Sequence, residues 1–237
     1  EYTPWLGYAI GNPVAEIGVV EGSIREEQFA IAATVIDRRD GTQHPLRLGV
    51  PGRHNLSNAL AAITASVATG VTVADAVSAL DSYAGLARRF DVIGTSPGGI
   101  TVIDDFGHNP EKCAATLNTL KAHPGRIIVF FQPHGYGPLR QMGTELAETF
   151  ARLLGPDDVT LLCDPVYLGG TVDRTDGSER IVRLINSAGG AAEYLPARED
   201  CEDRIAAIAR PGDRVVVMGA RDDTLTLLAK NLLARLA

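Results

Sequence analysis

Ile100-Thr101-Val102-Ile103-Asp104-Asp105-Phe106-Gly107-His108-Asn109-Pro110 reads as an apolar strand that ends in a polar turn and opens a helix. Asn109 has the side chain of an N-cap. Pro110 suits the first helical turn, where its missing N–H leaves nothing unsatisfied. Two carboxylates, an aromatic ring and an imidazole therefore collect at the C-terminal end of a strand, which is where open α/β sheets bind ligands. Taken singly, each side chain also fits an ordinary turn with an exposed histidine.

Outward from this string toward the C-terminus, strands and helices alternate. Arg126–Phe131, Val159–Cys163 and Arg214–Met218 are buried-type strands. Leu146, Phe150, Leu153 and Leu154 mark one helix, Ile181, Leu184 and Ile185 a second, Ile205 and Ile208 a third, and Leu225, Leu228, Leu232 and Leu236 the last. Such alternation predicts an α/β domain, a mainly parallel, Rossmann-like sheet with helices on both faces. Toward the N-terminus the pattern differs. Glu16–Val20, Phe29–Ile36 and Leu46–Val50 read as antiparallel strands, with a hairpin-type turn at Asp40-Gly41. Two helices follow. One covers Asn55–Ala68, with Leu56, Leu60, Ile63 and Val67 on one face; the other starts at a Thr72/Asp75 capping box and buries Val73, Ala76, Val77 and Leu80. Glu1–Pro13 reads as irregular. The change of pattern sets a boundary near Ala87, dividing the chain into residues 1–87 and 88–237.

Composition bounds the function. Over 237 residues, 45% hydrophobic and 22% charged residues describe an ordinary globular chain. A net charge of −7 argues against a nucleic-acid partner. Cys113, Cys163 and Cys201 are odd in number and widely spaced, matching neither a zinc site nor a disulfide framework, so no metal ligand is expected and the natural setting is a reducing cytoplasm. No apolar run approaches the ~18 residues of a membrane helix and no signal-type leader is present. The chain opens on Glu1 rather than methionine, as a piece of a longer protein would.

Four further clusters could carry chemistry. In Pro51-Gly52-Arg53-His54-Asn55-Leu56-Ser57-Asn58, the two asparagines share a helix face; their amides suit an adenine edge, and equally read as a cap and a solvated side chain. Arg88-Arg89-Phe90 places guanidiniums at the boundary, where they can reach phosphate or simply face water. Gln132-Pro133-His134-Gly135-Tyr136-Gly137 resembles the start of a dinucleotide fingerprint, with Asp164 as a ribose acid; however, Arg140 replaces the third glycine and Pro138 breaks the run. Gly219-Ala220-Arg221-Asp222-Asp223, with Thr224 as a helix cap, offers an anion site or a charged capping turn. No Gly-Lys dipeptide occurs, so the chain has no P-loop.

Four strings occur in order, PGRHNLSNALAA, RRFDVIG, VIDDFGHNP and IIVFFQPH. Together they resemble the Mur ligases, and among them the alanine-adding branch, from about Glu16 to the C-terminus. The resemblance implies the tail of a central ATP-binding domain followed by a complete Rossmann-like C-terminal domain. It implies ATP and Mg2+ as cofactors, with UDP-N-acetylmuramate and L-alanine as the other substrates. The P-loop lysine, the Mg2+ ligands and the UDP-binding domain would lie upstream. His54, Asn55 and Asn58 would surround the adenine, and Arg89 and Asp105 would meet the nucleotide from the C-terminal domain. Phe106, His108 and His134 would line the amino-acid pocket, with His108 and Arg89 closest to the chemistry. These 237 residues alone would then bind but not turn over.

The pattern also departs from that family. Phe106 replaces a usual tyrosine and Asn109 a usual histidine. Gly135-Tyr136-Gly137-Pro138 stands where an arginine-bearing run is usual, leaving Arg140 or Arg221 to take the amino-acid carboxylate. These departures leave a peptide acceptor, as in the tripeptide-recycling branch, as an alternative. A nicotinamide dehydrogenase is a further alternative.

Overall fold

The computed structural model describes residues 5–166, 169, 171 and 173–236. The first four residues of the stretch expected to be irregular lie outside them. The chain forms two compact units, Glu1–Gly85 and Leu86–Ala237.

The first unit is built on a five-stranded sheet of β1 (Tyr8–Ala9), β2 (Ile17–Val19), β3 (Arg25–Glu26), β4 (Ile31–Asp37) and β5 (Thr42–Leu48). β4 is its spine. β2 and β3 pair antiparallel along one edge of β4, and β5 along the other. Three features differ from the sequence reading, one of them the short strand β3, which was not expected. The supposedly irregular start contains β1, which pairs parallel with β2. The return strand begins at Thr42 rather than Leu46. Pro45 and the exposed Thr42 and Gln43 hid its first half, yet β5 pairs only with β4, and an edge tolerates a residue without an N–H. Helices α1 (Arg53–Ala68) and α2 (Val73–Leu80) cover this sheet. Leu56, Leu60, Ile63, Val73 and Val77 pack on Ile17, Ile31, Val35, Leu46 and Leu48. The Thr72 hydroxyl accepts from Asp75 N–H, as its capping box requires.

The second unit comprises β6 (Asp91–Thr95), β7 (Thr101–Asp105), α3 (Pro110–Lys121), β8 (Ile127–Gln132), α4 (Tyr136–Leu153), β9 (Val159–Leu162), α5 (Ser178–Ser187), β10 (Ala192–Tyr194), α6 (Arg198–Ile208), β11 (Arg214–Gly219) and α7 (Thr224–Arg235). Its sheet runs β10-β9-β8-β11-β7-β6, parallel throughout except for β6. Successive strand residues point to opposite faces. Val102, Phe130, Val215 and Val217 meet α6 and α7 through Cys201, Ile205, Leu225 and Leu228. On the other face α3, α4 and α5 pack in sequence.

β6 and β10 were not anticipated, because β6 is nowhere fully buried and β10 has three half-buried residues. Pro138, which departs from the dinucleotide fingerprint, sits in the first turn of α4, which opens at Tyr136. One local expectation is corrected. Thr224 is not the cap of α7. It is the first helical residue, and its N–H is accepted by the Asp222 carboxylate at 3.0 Å.

Candidate functional site

β11 returns to lie between β7 and β8, so the order of the sheet reverses there. Asp105, Met218 and Phe131 stand in register across these three strands. Their C-terminal ends are level, and the turns Asp105–His108, Gln132–His134 and Gly219–Arg221 converge at the switch point.

Asp105 organises the first turn. It is buried; Oδ2 accepts from Phe90 N–H at 2.8 Å, and Oδ1 accepts from Gly107 N–H at 2.8 Å and Thr116 Oγ1 at 3.0 Å. Burial pushes its pKa up despite these donors. Gly107 is required for space, since a Cβ there would stand 2.8 Å from Asp105 Oδ1. Asn109 caps α3 through Lys112 N–H at 2.9 Å, with Pro110 in the first turn, as the sequence indicates. Both oxygens of Asp105 are thus engaged within the fold.

Phe106 stands beyond it, its N–H bonded to Arg88 O at 2.7 Å. The Arg88 and Arg89 guanidinium carbons lie 5.0 and 4.9 Å from its ring centroid. Arg89 is exposed, whereas Arg88, absent from the sequence-derived set, is buried. His108 Nδ1 lies 2.8 Å from Phe106 O, and its ring meets Phe106 and His134 edge-on at 5.2 and 5.1 Å. His108 and His134 front a small apolar crevice lined by Phe131, Leu139 and Met142. Burial, with the nearby His108 and Arg221, holds His134 below the ordinary imidazole range, favouring its neutral form.

The two candidate carboxylate-binding arginines differ. Arg140 donates to Asp173 O at 2.9 Å and pairs with Asp173 and Asp176 at 3.3 and 3.6 Å. Arg221 is exposed with φ 60°, and no hydrogen bond or ion pair engages it among the described residues. The neighbouring Asp222 is taken by Gln132 Nε2 at 2.7 Å and Arg198 Nη1 at 3.3 Å, which ties the β8 and β11 turns together. Gln132 and Arg198 have no individual sequence signal.

In the first unit, Gly52 (φ 94°) opens α1. Asn55 Nδ2 donates to Pro51 O at 2.7 Å, so its amide is partly committed to the turn. His54 and Asn58 are exposed on the first turns of α1. Their free polar edges suit a nucleobase. Among the described residues, no group of three or more His, Cys, Asp or Glu side chains could hold a metal ion. No described helix is long and apolar enough to cross a membrane.

The family model "Mur ligase, glutamate ligase domain" matches residues 88–221. The chain is 42% identical over 220 residues to a UDP-N-acetylmuramate–L-alanine ligase of Agrobacterium fabrum, covering 90% of this chain and 45% of that protein. It is 34% identical over 221 residues to one of Pelotomaculum thermopropionicum, covering 92% and 46%. The chain therefore spans about half the length of the curated relatives it matches. Among solved structures, a UDP-N-acetylmuramate–alanine ligase of Thermotoga maritima matches with TM-score 0.72 at 23% identity, over 95% of this chain and 47% of that one. A murein peptide ligase of Psychrobacter arcticus matches with TM-score 0.63 at 25% identity, over 97% and 46%. With a switch-point site on a mainly parallel sheet and a family match across most of that unit, the chain belongs to the Mur ligase family.

Proposed function

We propose that this chain is part of an ATP-dependent, ADP-forming ligase that joins L-alanine to UDP-N-acetylmuramate in peptidoglycan synthesis. Residues 1–87 are then the tail of the central ATP-binding domain and residues 88–237 the C-terminal domain. In this reaction the muramoyl carboxylate takes the γ-phosphoryl group of ATP, releasing ADP. The alanine amine attacks the acyl phosphate, and the tetrahedral intermediate expels inorganic phosphate. Catalysis is positioning and charge neutralisation. His54, Asn55 and Asn58 serve the adenine, and Arg89 serves the phosphates. Asp105 meets the nucleotide and, through Phe90, Gly107 and Thr116, also shapes the turn that carries Phe106 and His108. His108 and neutral His134 flank the amine, and Arg221 takes the amino-acid carboxylate, since Arg140 is engaged by Asp173 and Asp176. No residue of this chain is assigned to Mg2+. The setting is the cytoplasm, where the nucleotide substrates are.

The observation that carries this reading is the convergence of Phe106, His108 and His134, with Arg89 over the Phe106 ring, at the sheet's switch point. The loss of arginines over residues 135–138 favours one rival, ligation of a murein tripeptide. ADP release by the full-length protein with UDP-N-acetylmuramate tests both. Alanine-dependent release is expected. Release with tripeptide alone moves the acceptor, and release with neither overturns the ligase reading. The 237 residues alone are expected to release none.

A further inference from the structure

Arg88 and Arg89 are adjacent and chemically identical, yet they face opposite environments. Arg88 is 7% exposed. Its Nη2 donates to Gly219 O at 2.8 Å, its Nη1 lies 3.4 Å from Asp223 Oδ1, and its Nε faces Asp104 Oδ1 at 3.6 Å. Asp104 is wholly buried, and its other oxygen accepts from Thr226 Oγ1 at 2.6 Å. Neither Arg88 Nε nor Asp104 Oδ1 has a hydrogen-bond partner, and the two face each other across 3.6 Å. Through Arg88 the 88–90 segment is pinned to the ends of β7 and β11 and to the start of α7.

The backbone repeats the pattern. Arg88 and Phe90 both adopt left-handed φ values, 59° and 49°, in a region that side chains with a Cβ disfavour. Surrounding structure must hold such a conformation. Here Phe90 N–H is held by Asp105 and Arg88 O by Phe106 N–H. Between these two anchored residues Arg89 projects outward. Its guanidinium rests over the Phe106 ring, and no hydrogen bond or ion pair engages it among the described residues. The positive charge of Arg88 is answered inside by Asp104, while that of Arg89 is left for a ligand.

We propose that Arg88 is a positioning residue: paired with Asp104, it locks the strained 88–90 segment so that Arg89, shelved on Phe106, presents its guanidinium to an anionic phosphate ligand. This deepens the reading above, and rests on it for the identity of that ligand as ATP. A lysine at 88 would keep the charge but lack the planar fork that reaches Gly219 O, Asp223 and Asp104 together.

The test is a double-mutant cycle in the full-length protein, read as kcat/KM for ATP in ADP release, with melting temperature as the folding control. Arg89→Ala is expected to lower kcat/KM about 100-fold, and Arg88→Lys about tenfold. In the Arg89→Ala background, Arg88→Lys should cost less than twofold, because the residue it positions is gone. A purely structural role would give the same factor in both backgrounds, and that result, or wild-type kinetics for Arg88→Lys, overturns the proposal. If Arg89→Ala leaves kcat/KM for ATP unchanged, it is the phosphate reading that fails. Phe106→Leu, which spares the buried pair, gives a second route should Arg88→Lys not fold. It too should lower kcat/KM, with no further loss in the Arg89→Ala background and with recovery in Phe106→Tyr; equal losses in both backgrounds refute the shelf.

Discussion

Removing the Asp105 carboxylate tests how the switch-point turn is held. In Asp105→Ala three donors lose their acceptor: Phe90 N–H, Gly107 N–H and Thr116 Oγ1, all on buried residues. Thr116 lies inside α3 and its hydroxyl can turn to the carbonyl four residues back. Two backbone N–H groups remain, each costing about 1–3 kcal/mol when buried without a partner. Their sum is about 2–6 kcal/mol. Removing a carboxylate whose ionised form burial already disfavours returns part of that, so about 2–4 kcal/mol is expected. The loss should also be local. Phe90 has left-handed φ, and its bond to Asp105 helps hold the 88–90 segment. Amide hydrogen exchange on the 237-residue chain is the assay, because it reads single N–H groups in one unit of a two-unit chain. Protection at Phe90 and Gly107 should fall more than tenfold, while the amides of β4 in the first unit keep theirs. Wild-type protection at both sites, with a stability loss under about 1 kcal/mol, would refute this account of the turn.

Two further outcomes are expected. Asp104 and Asp105 have carboxyl pKa values raised chiefly by burial, so the native state holds these protons more tightly than the unfolded chain. The stability they contribute is present below the ordinary carboxylate pKa of about 4 and is lost as pH rises through their folded values; denaturant titrations should show a smaller loss across that window for Asp105→Asn than for wild type, and identical pH dependence would count against it. Arg214 is fully buried, its guanidinium donating to Leu120 O, His123 O and Gly125 O where α3 ends, so Arg214→Met should destabilise the second unit by about 3–5 kcal/mol, and an unchanged circular-dichroism melt would disprove that role.

Much of the fold was legible because it is written locally. Asn109 and Pro110 signal a helix start through their own side-chain chemistry, and α3 begins there. Ile127–Phe131 and Val215–Met218 are apolar on both faces, which only a covered parallel strand requires. The elements that escaped notice are those whose stability comes from neighbours: β1, β3 and β10 have two or three residues each, β6 is nowhere fully buried, and the first half of β5 carries a proline that only its edge position excuses.

The site divides in the same way. The sequence by itself marked Asp105, Phe106, His108 and His134 as chemistry-bearing because those residue types stand at strand ends, and an arginine pair because it stands at the boundary between the two patterns. Residue type alone did not tell Arg88 from Arg89, which only the family resemblance separated, or a spent Arg140 from an available Arg221. Those choices depend on partners distant in the chain: Asp104 and Gly219 draw Arg88 inward, and Asp173 and Asp176 occupy Arg140. A side chain's availability is set by what competes for it, and only the folded chain brings the competitors within reach.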